Sequence, residues 1–89
     1  MHAIVTVVGR DRVGIIAGVC VSLSALNVNV LDISQTILDS MFTMMMLVDL
    51  SNAAEDFPTL AAKLSETGDA LGVTVRIQRE DVFDAMHRI

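Results

Sequence analysis

The sequence predicts an α+β domain: a four-stranded antiparallel sheet with two helices on one face and a short helix at the C terminus. Three observations predict it. Four apolar segments rich in β-branched residues and methionine recur along the 89 residues, and two segments of helical period separate them in the order β-α-β-β-α-β. Only Asp39-Ser40 joins the two middle strands, a tight turn that makes them antiparallel. Each helical segment links two strands that must run parallel, and right-handed crossovers then leave both helices on the same side.

The elements follow in order. His2 to Val8 is β-branched and nearly continuous in apolar residues, as in a central strand. Gly9 to Arg12 is a turn, and Val13 to Ala25 or Leu26 is a helix. Ile15, Val19, Leu23 and Leu26 fall on one stripe, which Ile16 and Cys20 widen. The opposite face offers Ala17, Gly18, Val21, Ser22 and Ala25 rather than charges, a bland surface suited to a partner. Asn27 is a suitable left-handed residue to end this helix. Val28 to Leu38 is the second strand, with Leu31, Ile33 and Ile37 on one face and Asp32, Ser34 and Thr36 on the other. Met41 to Leu50 is the third. On it Phe42, Met44, Met46, Val48 and Leu50 share a face, and Met41, Thr43, Met45 and Leu47 share the other. Phe57-Pro58 opens the second helix, whose stripe is Leu60, Ala61, Leu64 and Leu71; Gly68 is a point where it could end early. Val73, Val75 and Ile77 alternate with polar residues as a fourth strand. Residues 80–89 place acids first and His87-Arg88 last, with Phe83 and Met86 three apart, as in a short amphipathic helix. This is the ferredoxin-like order, and residues 1–89 form a single domain. The sheet face away from the helices stays half-apolar and calls for a cover, either the C-terminal helix or another subunit.

Composition narrows the function. Hydrophobic residues make up 53% of the chain, above the usual share, so a second copy is expected to cover part of the surface. Six Lys and Arg stand against eleven Asp and Glu, for a net charge of −5. That balance argues against nucleic acid and anionic membrane surfaces as partners. Val13 to Leu31 has no charge, but its glycines, serines and asparagines and the Asn27-Val-Asn29 turn favour a helix plus a strand over a membrane span. A lone Cys20 makes no internal disulfide, and no secretory signal opens the chain. A cytoplasmic location is expected.

The candidate site is Gly9-Arg-Asp-Arg-Val-Gly14. A helix beginning directly after a strand presents unpaired N–H groups and the positive end of its dipole, a seat for a carboxylate or phosphate. Asp11 is placed to cap the helix, and Gly14 keeps the backbone accessible. The plain alternative is an ordinary capped connection with solvated arginines. Other chemistries find little support. Met41, Met44, Met45 and Met46 alternate between sheet faces and cannot converge on one soft metal ion. His2 and His87 are far apart in sequence, and no cluster has zinc-ligand spacing. Cys20 reads as a small hydrophobe. No serine has a histidine near it in sequence, and phosphate-loop and dinucleotide motifs are absent. No catalytic residue, metal or cofactor is expected.

With order and turn in hand, the chain resembles an ACT domain of the small stand-alone bacterial and archaeal type. The resemblance rests on Gly9-Arg-Asp-Arg-Val-Gly-Ile-Ile16, Leu26-Asn-Val-Asn-Val30, Asp32-Ile-Ser-Gln-Thr36, Phe42-Thr-Met-Met-Met46 and the run from Arg79 to Ile89. It implies regulatory, non-catalytic binding of a small molecule, usually an amino acid. It also implies side-by-side pairing into an eight-stranded sheet, in a homodimer or tetramer, with a regulated protein as a further partner. On matching positions, Gly14 and the amides of Val13 to Ile15 would receive the ligand carboxylate, and Asn29 of a second copy would bridge its polar groups. Asp11 stands where several amino-acid-binding members carry asparagine; its carboxylate would favour an ammonium, with Arg10 and Arg12 offsetting its charge. The expectation includes a valine at position 14 that fills the seat and spares the fold. The alternative function is a ligand-independent protein–protein interaction module.

Overall fold

The computed structural model describes residues 1–81; residues 82–89, which make up most of the expected C-terminal helix over 80–89, lie outside them. The chain runs β1 (His2–Arg10), α1 (Ile15–Ala25), β2 (Asn29–Leu38), β3 (Met41–Asp49), α2 (Phe57–Leu71) and β4 (Thr74–Arg79). The strands form one sheet in the order β2-β3-β1-β4, and every neighbouring pair is antiparallel. This is the ferredoxin-like arrangement expected.

Alternation decides which side chains enter the core. Ala3, Val5 and Val7 of β1, Phe42, Met44, Met46 and Val48 of β3, and Val75 and Ile77 of β4 are buried on the helix side. The helices meet them with Ile15, Val19 and Leu23 from α1 and Leu60 and Leu64 from α2. These residues make one cluster with Leu26, Val28 and Val73. At roughly 1.5–3 kcal/mol for each large apolar side chain fully buried, it is the main source of stability.

Two local expectations fail for physical reasons, and the end of α2, left open between Gly68 and Gly72, falls at Gly72. Leu31 does not join Ile33 and Ile37 on one face, because a bulge between Val30 and Asp32 leaves it unpaired and interrupts the alternation. Gly68 does not end α2. A Cβ there would lie 2.7 Å from the Val73 carbonyl oxygen, so glycine lets the helix pass close to the chain entering β4. The outer face of α1 is not wholly bland surface. Gly18 packs against Leu71, and the Ser22 and Thr67 hydroxyls are 2.8 Å apart, so α2 takes half of it. Asn27 is left-handed as expected, and so are both residues of the Asp39-Ser40 turn. Among the described residues no helix is long and apolar enough to cross a membrane.

Candidate functional site

β1 continues two residues past the expected Val8, to Arg10. The next amide, that of Asp11, donates to the Ser40 carbonyl at 2.8 Å and ties the turn to the β2–β3 hairpin. The cap position of α1 therefore falls to Gly14, at φ 93°, and no side chain accepts a hydrogen bond from the first turn. Asp11 is not the cap, in contrast to the sequence expectation. A side-chain cap must sit at the residue where the chain enters the helix, and Asp11 lies three positions earlier, held by the sheet. The Gly14 carbonyl closes the first helical turn with Gly18 N–H at 2.8 Å. The preceding amides have no helical partner.

The space above this turn is open. A Cβ built on Gly14 meets nothing within 4 Å, and Val13 beside it is fully exposed, at 102%. Ile15, 2% exposed, anchors the turn in the core. The positive φ at Gly14 also corrects an expectation. A valine there is strained whatever the room around it, so that substitution tests the fold as well as the seat.

Arg12 is engaged elsewhere. Its Nη1 donates to the Leu71 carbonyl at 3.1 Å, at the C-terminal end of α2 where Gly72 is the cap. A cation there satisfies an orphan carbonyl and suits the negative end of the dipole. Arg12 thus fastens the turn to α2. Arg10 and Asp11 are exposed.

Asn29, the first residue of β2, lies at the far end of α1. Eleven helical residues separate the two ends by about 16 Å, so one chain does not bring Asn29 to Gly14. Asn29 lines a cleft of about 460 Å³ with Cys20, Ser24, Asn27, Asp49 and Asn52. Asn27 Nδ2 donates to the Asn52 carbonyl at 2.6 Å. Asp49 Oδ1 accepts from the Ser51 hydroxyl at 2.6 Å and the Ser51 amide at 2.9 Å. These bonds, the hydroxyl's first, hold the Asp49 carboxyl below its ordinary 3.8. Asp49 and Asn52 escape the sequence reading. Counting outward from the Asp39-Ser40 turn pairs Asp49 with Val30, but the bulge shifts it opposite Asn29.

Taken together, the turn offers backbone donors and open space for a small anion, and the cleft offers neutral amides, a hydroxyl and one carboxylate. Among the described residues no three His, Cys, Asp or Glu side chains converge as a metal-binding group.

Comparison with known proteins places this geometry. The family model for the ACT domain matches residues 1–78. The chain is 60% identical over 87 residues to a UPF0237 protein of Bifidobacterium longum, covering 98% of this chain and 97% of that one. It is 55% identical over 88 residues to a UPF0237 protein of Methanocaldococcus jannaschii, covering 99% and 98%. Among solved structures, an ACT domain protein from Streptococcus pneumoniae superposes with a TM-score of 0.83 at 45% identity, covering 98% of each chain. The chain therefore belongs to the ACT domain family, a family of regulatory domains.

Proposed function

We propose that the chain, as one ACT-type unit over residues 1–89, is a non-catalytic amino-acid sensor that works as a homodimer in the cytoplasm. The observation that carries this reading is the uncapped start of α1: free amides around Val13, Gly14 and Ile15, with no atom beyond the neighbouring residues within 4 Å of a Cβ placed on Gly14. A carboxylate satisfies such amides and the helix dipole together. Asp11 and Arg12 flank the seat. The Asp11 carboxylate faces the ligand ammonium, and Arg12 holds the turn through Leu71. Cytoplasmic placement accords with a single free thiol, Cys20.

The edge strands support the dimer. β4 is six residues long and carries Arg76 and Arg79, the kind of short, charged edge that resists pairing. β2 is ten residues long without Lys, Arg or Pro, and it exposes Ile33 (44%) and Ile37 (53%). Beyond the bulge at Leu31 and the Ile33 amide, which donates to Asp32 Oδ1 at 2.9 Å, such an edge is open to another strand. Two β2 edges pairing antiparallel about a two-fold axis set the start of one beside the end of the other. The end of β2 leads into Ser40, whose carbonyl holds the turn through the Asp11 amide. Asn29 of a second copy then comes to the Gly14 turn, and the two separated halves become one pocket.

Thermal-shift screening against the twenty amino acids tests the reading. A ligand at a hundred times its Kd adds about 2.7 kcal/mol of stability. At least one amino acid is expected to stabilise the protein, with the response lost in Asn29→Ala. No response to any of them at millimolar concentration overturns the sensor and leaves the ligand-independent interaction module. That module keeps its assembly in Asn29→Ala and with any amino acid present, since its contacts lie on the open sheet face or on Ala17, Val21 and Ala25 of α1, which are exposed.

A further inference from the structure

β1 and β4 leave a small hollow on the sheet face away from the helices. Its walls are Thr6 and Val8 of β1 and Thr74 and Arg76 of β4, around a volume of about 380 Å³, within the ~300–1,000 Å³ of small-molecule sites. The register explains why these side chains meet. Thr6 pairs with Arg76 and Val8 with Thr74, and directly opposed side chains on one face stand about 5 Å apart. Thr6 and Thr74 are diagonal neighbours, ~7–8 Å apart across the hollow. Alternation keeps all four on the open side, because Val5 and Val7 of β1 and Val75 and Ile77 of β4 take the core side.

The rest of the chain leaves this arginine unpaired. Six Lys and Arg residues stand against eleven acids, so cations are scarce and acids are not. Among the described residues, Lys63 meets Glu55 at 3.4 Å and Arg79 meets Asp81 at 3.1 Å, and Arg12 donates to the Leu71 carbonyl. Only Arg10, beside the α1 turn, and Arg76 have no acid or carbonyl partner among them, and the Thr6 and Thr74 hydroxyls have no hydrogen bond there either. The acids on this face are remote. Asp49 and Glu80 lie two rows along the strands and Asp32 three strands across, about 14 Å or more in each case and beyond the ~8 Å Debye length of physiological salt. Asp49 is also bonded to Ser51, and Glu80 faces His2 at 3.8 Å.

An unpaired arginine between two free hydroxyls gathers hydrogen-bond donors around one point. The guanidinium fork takes two oxygens of an anion at once, and each hydroxyl can donate to another. A carboxylate offers both its oxygens to the fork, whereas a phosphate group keeps a third for the threonines. Val8, 37% exposed, gives the hollow one apolar wall, suited to the carbon-bearing part of a monoester. One isolated cation in an acidic chain suits a single phosphate and not a polyanion.

We propose that this hollow is a second small-molecule site, in which Arg76, Thr6 and Thr74 hold the phosphate group of a small phosphate monoester. It is independent of the α1 turn and of the amino-acid reading. It also lies at the β4 side of the sheet, opposite the β2 edge, so side-by-side pairing leaves it open.

Backbone amide and arginine side-chain shifts of the full chain test this at constant ionic strength, with inorganic phosphate, glycerol phosphate and acetate added separately. Both phosphates are expected to give saturable shifts at the Thr6, Thr74 and Arg76 amides and at Arg76 Nε–H, and acetate none at the same concentration. Arg76→Gln, at an exposed position, is expected to raise the Kd for phosphate by about tenfold or more. Thr74→Val, which keeps the β-branch, is expected to raise it by less, with circular dichroism confirming that each variant folds. No saturation at tens of millimolar overturns the site, and so does an unchanged Kd in Arg76→Gln. Shifts confined to Val13, Gly14 and Ile15 place the anion at the α1 turn and overturn it too. Saturation by inorganic phosphate alone refutes the monoester, and acetate acting like phosphate refutes the preference for a phosphate group.

Discussion

The two helices of this molecule begin in opposite ways. α2 enters through Asp56, whose Oδ1 accepts from the Thr59 amide at 3.0 Å, followed by Phe57 and Pro58. Proline removes one donor and the carboxylate satisfies another, so this end is closed. α1 enters through a left-handed glycine with no side-chain cap and no acid in its first turn. Both helices pack on the same sheet face and both contribute to the core. Helix stability alone therefore gives no reason to finish one start and leave the other bare. The difference teaches that an unfinished helix end beside open space is a retained cost, and a ligand that supplies the missing acceptor recovers it.

Several substitutions break or sharpen this contrast. The largest effect belongs to Asn29→Ala. It is expected to abolish the ligand-dependent stabilisation of about 2.7 kcal/mol at a hundred times Kd while leaving the ligand-free Tm unchanged, because Asn29 is exposed. Calorimetric titration and thermal melts check both halves. Next comes Gly14→Val, which forces a β-branched residue to φ 93° and is expected to cost about 1–3 kcal/mol in urea unfolding. If stability is unchanged, the turn rearranges freely and the preformed seat is wrong. Asp56→Ala opens the closed end and is expected to lower Tm by roughly 5 °C, with no effect on ligand affinity. Arg12→Ala removes the bond to Leu71 and is expected to cost about 0.5 kcal/mol, readable as faster amide exchange at the end of α2.

The smallest effect separates the two ends by pH. Hydrogen bonds from Thr59 hold the Asp56 carboxyl below its ordinary value of 3.8. A group whose folded value is depressed stabilises the protein above its unfolded value, and that contribution is lost as pH falls through the folded value. Amide exchange at the start of α2 is therefore expected to quicken below about pH 3.8, once intrinsic acid rates are subtracted, while the start of α1 shows no corresponding step.

Much of this was legible in the chain. The Asp39-Ser40 turn, the alternation of β3 and the stripe of Ile15, Val19 and Leu23 fix partners through local periods that tertiary packing respects. What escaped depended on contacts distant in sequence. β1 runs on to Arg10 because Gly9 and Arg10 pair with Phe42 and Met41, and that extension removes Asp11 from the cap position. Gly68 stays helical because of residues in the following strand. The bulge at Leu31 moved Asp49 into the cleft beside Asn29, and no periodicity marks where a strand gains a residue. For the site, Gly14 could be singled out from its place after a strand. The commitment of Arg12 to Leu71, 59 residues away, could not.

One measurement bears most directly on the contrast between the two helix starts: amide proton and nitrogen shifts followed while an amino acid that stabilises the protein is titrated in. Saturable shifts are expected at the amides of Val13, Gly14 and Ile15, accompanied by the Asn29 side-chain amide, with the Thr59 amide unmoved. Shifts confined to other residues, or equal movement at the starts of both helices, would contradict that contrast.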